Sequence, residues 1–360
     1  MNTTNTNTNT NTNTNLPLVL YHANCADGFG AAFAAWKSLG AEGAIYVPVS
    51  YNGFKFNVET GYLTVGDIEY STTDRVVYIL DFSFPVSIME ALFSGCSNVI
   101  WLDHHKSAFD MYGLPVNTSC NDFCDAVAIG KFSYNSLHHV ILDNTSSGAL
   151  IAWNYFHPSE GTPKLIQHID DYDRWQFKID GTKEFNKALW SYAPWSFEQW
   201  NSMFLELDKH PINAIYVDMR IEGAAILRAH NQNVQSIIAA SKRECSLTFF
   251  ESHVIDNPHE DGKTLSMSRQ VAVVGLAANC PKHLASDVGH HLATESGTYG
   301  LCWHIDTQGA VECSLRSNGD FDVSAIAAKF GGGGHKNAAG FKLSSIELLN
   351  KFFYPNRREL

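Results

Sequence analysis

The sequence predicts an α/β protein in which an N-terminal domain built on a parallel sheet is followed by a smaller C-terminal α/β domain, with the active site in the cleft between them. Three observations carry that expectation. Apolar runs at Leu18–His22, Val76–Asp81 and Asn98–Asp103 each end on Asp or His and are separated by helix-like segments, the pattern of parallel strands joined by helical crossovers. A long uninterrupted helical pattern then runs from Glu222 to Ser241. Beyond it, β-type segments at Cys245–Phe250, Gln270–Leu276, Tyr299–Ile305 and Val311–Arg316 surround a helical stretch over Pro281–Thr294, which reads as a second sheet.

Taken in order, residues 1–15 are an Asn/Thr tract after Met1 with nothing to bury, so a disordered tail is expected there. A first domain then spans 16–210, a helical connector 211–242 and a second domain 243–360. Leu18-Val-Leu-Tyr-His22 is a short strand. Gly28–Leu39 is a helix rich in small residues, closed by Gly40. Between them lies His22-Ala-Asn-Cys25-Ala-Asp27, which puts an imidazole and a carboxylate at the carboxyl edge of the sheet, where open α/β folds bind ligands. Taken alone, Asp27 reads as a helix N-cap. The run ending on Asp81 repeats the design, with Pro85 opening the next helix. So does the run ending at Asp103-His104-His105, a triplet that alone reads equally as a polar turn or as a hard-cation site. Three such strand ends together form a constellation.

Residues 110–145 are loop-rich, and His138-His139 read as surface or core histidines. Ser146-Ser-Gly-Ala-Leu begins a helix with capping signals. Asp170, Asp171 and Asp173 then crowd three acids into four positions, a costly arrangement unless Arg174 or a cation compensates. Residues 176–215 are rich in Trp and Phe and read as a helical cap on the first domain. His283, His290 and His291 read as surface or packing residues. Near the C-terminus, Arg316 precedes Gly331-Gly-Gly-Gly-His335, and consecutive glycines let backbone amides approach an anion closely. The bland alternative is a flexible turn.

Composition narrows the functions. The chain has 360 residues, 45% apolar and 12% aromatic content and a net charge of −12, which argues against a broad basic surface for long nucleic acid but not against a phosphorylated substrate bound at a local metal. Its eight cysteines include no C-x-x-C pair, and no apolar run approaches the length of a membrane span, so a cytoplasmic, soluble protein with free thiols is expected.

These motifs, in this order, resemble DHH-family phosphoesterases that carry a C-terminal DHHA1 domain, over roughly residues 18–345. The resemblance implies a metal-dependent hydrolase of phosphoester bonds, usually using Mn²⁺, with short single-stranded oligonucleotides or small nucleotides as partners, no membrane, and homodimerisation left open. It implies metal ligands at His22, Asp27, Asp81, His104 and Asp171, with Asp81 bridging two ions. Asp103 would orient the cluster and His105 would face the scissile phosphate. Arg316, Gly332, Gly333, Gly334 and His335 would bind a substrate phosphate. The role of Asp173 stays open. One departure concerns the first metal: many family members place Asp where this chain has Cys25, a softer ligand. The alternatives are a processive single-strand exonuclease, which needs a basic, aromatic-lined channel, and a binding or scaffold protein that has lost the first metal.

Overall fold

The computed structural model describes residues 9–10, 16–51, 53–114, 138–209, 214–256 and 264–353. The chain divides into two compact units, Met1–Arg228 and Ala229–Leu360.

The first unit is organised on a five-stranded parallel sheet. Its strands, numbered along the chain with Asn9–Thr10 as β1, are Leu18–His22 (β2), Ile45–Val49 (β3), Val76–Leu80 (β7), Asn98–Asp103 (β8) and His139–Leu142 (β9), in the order β3-β2-β7-β8-β9. Both faces are covered, which explains the continuous apolar runs. Along β2, Val19 and Tyr21 enter one core with Phe33, Trp153 and Trp200, while Leu18 and Leu20 enter the other with Val77, Trp101 and Phe109. The first core is roofed by helices Ala26–Leu39 (α1), Gly148–Phe156 (α4), Lys164–Asp173 (α5), Thr182–Ser191 (α6) and Phe197–Lys209 (α7). The second is covered by Val86–Gly95 (α2) and Lys106–Met111 (α3), and by residues of a small antiparallel meander, Phe54–Asn57 (β4), Tyr62–Val65 (β5) and Ile68–Ser71 (β6). Strand β1 adds to that meander, pairing in parallel with Ile68–Glu69, so two residues of the Asn/Thr tract lie in a sheet.

Strand β3 falls in residues 41–75, which the sequence reads as alternating β-like segments, while β9 lies in the stretch read as loop-rich. Strand β9 follows His138, whose buried imidazole Nδ1 accepts from Val99 N at 3.0 Å. Helix α1 starts at Ala26, two residues before the expected Gly28, and ends at Gly40 with φ +83°.

The helix Ala214–Ser241 (α8) contains the division between the units. The second unit carries a six-stranded sheet made of Arg243–Asp256 (β10), Thr264–Asn279 (β11), Tyr299–Ile305 (β12), Val311–Ser317 (β13), Gly333–His335 (β14) and Ala338–Leu343 (β15). Their order is β10-β11-β12-β13-β15-β14, antiparallel except for β11 with β12. Helices Val323–Lys329 (α10) and Ile346–Phe353 (α11) pack on one face through Ile326, Ala327, Leu349 and Phe352. Ala285–Ser296 (α9) packs on another core with Val234 and Ile238. Strands β10 and β11 are longer than their apolar stretches, because they pair with each other over their length as a hairpin.

Candidate metal centre

The site forms where strand ends meet at one edge of the parallel sheet. Tyr21 of β2 pairs with Leu80 of β7, and Leu80 with Leu102 of β8, so the next residues, His22, Asp81 and Asp103, come level at the carboxyl ends. Asp81 turns out of β7 with φ +62°, a left-handed conformation that costs a non-glycine residue energy and points its carboxylate across the edge.

Asp81 is the centre of the cluster. Its Oδ2 lies 3.5 Å from His22 Nδ1, and its Oδ1 lies 3.1 Å from His104 Nε2. Although the side chain is buried, neither oxygen has an aligned hydrogen bond, and the same is true of His22 Nδ1. An ionised carboxylate left this way in a protein interior is costly unless a cation meets it. Among the described residues three donor sets converge there: His22, Cys25 and Asp81; Asp81, His104 and His105; and Asp27, His104 and Asp173, with the ligating atoms in each set within 4.8 Å of one another. His104 Nε2 is 3.4 Å from Asp27 Oδ2 and 3.6 Å from Asp173 Oδ2.

The electrostatics point the same way. Burial, then the neighbouring Asp81 and Asp173, push the Asp27 carboxyl well up. Burial raises Asp173 as well, with Asp81 adding to it against the pull of His104. Burial pushes the Cys25 thiol up, and Asp81, Asp173 and Asp27 push it further. Burial also opposes ionisation of Asp81, but His104, His22 and His105 outweigh it and hold that carboxyl well below its usual range. Three acids, a thiol and two imidazoles crowded this closely fit a dication or a pair of them, whose charge would reverse these penalties.

Each ligand is held by its neighbours. Asp27 does not cap its own helix. Its two oxygens accept from Gly148 N (2.7 Å) and Ala149 N (2.8 Å), so it sits at the N-terminus of α4, more than a hundred residues away in the chain. That approach explains the small residues of α1. A Cβ on Gly28 would lie 2.2 Å from His22 O, and one on Gly30 would lie 2.9 Å from Ala149 Cβ. Gly148 is equally constrained, since a Cβ there would lie 2.5 Å from Asp81 Oδ1. Ser147 is the N-cap of α4, as its position before the helix suggests, and its side chain accepts from Leu150 N.

Asp103 is fully buried and fully engaged. Its Oδ1 accepts from His104 N (2.8 Å), His105 N (3.1 Å) and His105 Nδ1 (2.7 Å), and its Oδ2 from Ser83 Oγ (2.6 Å). The bond to Asp103 fixes which His105 nitrogen carries a proton on that side. Burial works against the imidazolium of His105, but Asp103 outweighs it and raises the group.

The acidic triplet on α5 is sorted by its partners. Asp170 accepts from Arg174 Nε (2.9 Å) and from Ser147 N (2.8 Å). Asp171, expected to bind metal, is not brought to the cluster: it accepts from Lys178 N (2.8 Å), Ile179 N (3.0 Å) and Thr182 Oγ1 (2.7 Å). Thr182 gives its one proton to Asp171, so His168 Nδ1 donates to Thr182 at 2.8 Å, and His168 Nε2 accepts from Tyr216 OH at 3.0 Å. The carboxylate that reaches His104 is Asp173, two residues on.

In the second unit, Arg316 donates to Leu315 O (2.8 Å) and Ser286 Oγ (2.9 Å) and lies against Gly289 of α9, where a Cβ would meet its Cγ at 2.8 Å. The glycine run expected to form a loop instead leads into edge strand β14. Gly332 N donates to Ala327 O at 2.9 Å, so that amide closes helix α10 rather than offering itself to an anion. A Cβ on Gly332 would lie 2.0 Å from Gly340 O, and one on Gly334 would lie 2.6 Å from Ala338 O; close chain approach to β15 requires both glycines.

Sequence reasoning missed Ser83, the α4 amides and Tyr51. Tyr51 follows β3 at the same edge, and its ring centroid is 5.3 Å from that of His22. Burial of the phenol, then Asp103, Asp81 and Cys25, push its hydroxyl above the ordinary value, although the residue is 49% exposed. No motif signals such a residue in one sequence.

Residues 282–354 match the DHHA1 domain family. The chain is 21% identical over 336 residues to the oligoribonuclease NrnB of Bacillus subtilis (strain 168), a match covering 90% of this chain and 72% of that protein. These matches indicate the DHH/DHHA1 phosphoesterase superfamily, with the DHHA1 domain at residues 282–354. It is also 29% identical over 341 residues to the uncharacterized protein R106 of Acanthamoeba polyphaga mimivirus, covering 92% of this chain and 68% of that one. Among solved structures, similarity extends to PggH, a pGpG-specific phosphodiesterase from Vibrio cholerae, at 13% identity and a TM-score of 0.43, covering 93% of this chain and 95% of that chain. It extends also to RecJ from Thermus thermophilus in complex with Mn²⁺, at 13% identity and a TM-score of 0.44, covering 94% and 51% of the two chains. For this DHH/DHHA1 chain, the triplet Asp103-His104-His105 is thus one support and one ligand candidate followed by a histidine tied to the support.

Proposed function

We propose that this chain is a metal-dependent hydrolase of phosphodiester bonds in short oligonucleotides or small nucleotides, with Mn²⁺ as the preferred ion. The observation that carries the proposal is Asp81: a buried carboxylate without an aligned hydrogen bond, with one oxygen toward the His22–Cys25 set and the other toward His104. His22, Cys25 and Asp81 would hold one ion, and Asp27, Asp81, His104 and Asp173 the other. Bound divalent ions supply charge against the phosphoryl oxygens and a water of lowered pKa.

The chain's own groups supply the rest. Asp103 holds His105 by its Nδ1 and favours the imidazolium, so His105 presents a fixed ring whose second proton, on Nε2, offsets charge developing on a phosphoryl oxygen. Ser83 and two backbone amides keep Asp103 ionised and still. Helix α4 fixes Asp27 through two amides. In the second unit, Arg316, Gly333, Gly334 and His335 are the proposed groups for a substrate phosphate, and Gly332 contributes shape rather than its amide.

Among the described residues no helix is long and apolar enough to cross a membrane; the free thiols of Cys96, Cys245 and Cys313 are the ground for proposing a cytoplasmic enzyme. The net charge of −12 favours short substrates over long strands, whose affinity depends on many Lys and Arg contacts. The test is a hydrolysis panel in Mn²⁺: di- to pentanucleotides of RNA and DNA, long single strands, cyclic dinucleotides, pyrophosphate and polyphosphate. Fastest turnover of a dinucleotide to pentanucleotide or a cyclic dinucleotide is expected. Preference for long single strands would make the chain a processive exonuclease instead, and no turnover with no Mn²⁺ binding would leave a binding or scaffold protein.

A further inference from the structure

Beside the metal centre stands one large aromatic side chain that the fold leaves half open. Tyr51 lies just beyond β3, the strand paired with β2, so it emerges at the same sheet edge as His22, whose register partner is Val49. A turn closed by Gly53 N donating to Ser50 O at 2.9 Å carries it there, and a Cβ on Gly53 would lie 2.2 Å from Ser50 Oγ, which would have to rotate away. The ring meets His22 in an edge arrangement, with centroids 5.3 Å apart and planes at 62°. An edge contact of this kind uses one side of the pair and leaves an aromatic face uncovered. Tyr51 remains 49% exposed, whereas Phe29, Phe82, Phe84 and Trp101 are buried in the cores.

An open aromatic face at the rim of a phosphate-hydrolysing centre has a natural complement in a nucleobase. Every base has a π-face, and stacking on Tyr, Phe or Trp is worth about 1–3 kcal/mol per base, close to 5- to 150-fold in affinity. A phosphate held beside His105 by ions on Asp81 would carry its nucleosides outward from the cluster, and Tyr51 stands against His22 there. The ring belongs to neither core of the first unit; it packs on His22 and keeps about half its surface open.

We propose that Tyr51 is a substrate-binding residue that stacks on the nucleobase flanking the scissile phosphodiester, giving the site a preference for nucleotide diesters over base-free phosphates. The inference rests on the phosphodiesterase reading above. It makes Tyr51 a specificity residue at the metal centre itself, on the first unit.

The experiment compares wild type, Tyr51→Phe and Tyr51→Ala in Mn²⁺ on a dinucleotide and on two analogues carrying an abasic sugar at one position or the other. Removing the base that stacks should lower wild-type kcat/KM by about 5- to 150-fold, mostly through KM. Tyr51→Ala should lose the same factor on the intact dinucleotide and be indifferent to removal of that base. Tyr51→Phe, which keeps the ring, should behave as wild type, and Mn²⁺ affinity by calorimetry should be unchanged in both variants. Additive losses in Tyr51→Ala and the abasic analogue overturn the stacking role. So does a Tyr51→Phe variant as impaired as Tyr51→Ala, or a loss of Mn²⁺ binding that accounts for the whole defect. Absence of turnover by the wild type on all three substrates overturns the phosphodiesterase reading and this inference with it, an outcome distinct from an active wild type with an indifferent Tyr51→Ala.

Discussion

Substituting Asp171 and Asp173 separately by Asn distinguishes a carboxylate that holds the fold from one that holds a metal. Asp171 accepts two backbone N–H groups and the Thr182 hydroxyl at 2.7–3.0 Å. An amide in its place keeps one oxygen and turns an NH₂ toward at least one of these donors. Hydrogen bonds to a charged group are worth about 1.5–3 kcal/mol each, so losing one or two of them costs about 3 kcal/mol. For a unit of 228 residues, Met1–Arg228, that corresponds to a fall in Tm of roughly 6–12 °C. Asp173 is different: its carboxylate is 31% exposed and meets His104 Nε2 at 3.6 Å, in the company of Asp27 and Asp81. Removing its charge relieves repulsion in the metal-free protein, so Tm in EDTA should hold or rise. Its loss as a ligand should weaken Mn²⁺ binding by at least the ~100-fold seen when mere outer-shell partners of a metal are removed. Thermal melts in EDTA and calorimetric titration with Mn²⁺ read the two effects separately. A stable Asp171→Asn protein that no longer binds Mn²⁺, beside an Asp173→Asn protein that still does, refutes the assignment.

Three further outcomes are expected. Gly148→Ala puts a Cβ 2.5 Å from Asp81 Oδ1, an overlap that overpacking data price at about 1–3 kcal/mol, and Mn²⁺ affinity should fall with stability in titration and urea melts. Ser83→Ala removes the 2.6 Å bond to buried Asp103, costing about 1.5–3 kcal/mol and loosening His105, so kcat should drop about 10- to 100-fold with KM little changed. His168 is buried, and its burial lowers the group to about 4, below the ordinary 6.5 of the unfolded chain. As pH falls, the unfolded state therefore takes the proton first. The stability from neutral His168 is intact above pH 6.5 and is lost between there and pH 4, about 3 kcal/mol in all. Urea melts of wild type and His168→Gln across that range should show a steeper loss for the wild type, and parallel curves would refute it.

Much of the site was legible because it is built from strand ends. An apolar run that stops on Asp or His marks both a buried strand and its carboxyl edge, which is why His22, Asp81 and Asp103-His104-His105 could be grouped before their register was known. What stayed hidden depends on contacts between distant segments. Asp27 looks like the cap of its own helix, and only the packing of α1 against α4 reveals that it holds the start of another. Asp171 and Asp173 are equivalent in sequence, and the choice between them follows from the backbone after Trp175, which folds two amides and Thr182 onto Asp171. Strand β9 escaped notice because it is only four residues long. The glycines near Phe330 were read as conformational freedom when two of them answer to close chain approach.

The most direct measurement is a calorimetric titration of the metal-stripped chain with Mn²⁺, paired with dinucleotide hydrolysis, for wild type and Asp81→Ala. Two ions per wild-type chain and Mn²⁺-dependent turnover are expected, with both lost in a folded Asp81→Ala protein. Tight Mn²⁺ binding and undiminished hydrolysis by Asp81→Ala would contradict a centre built on that carboxylate.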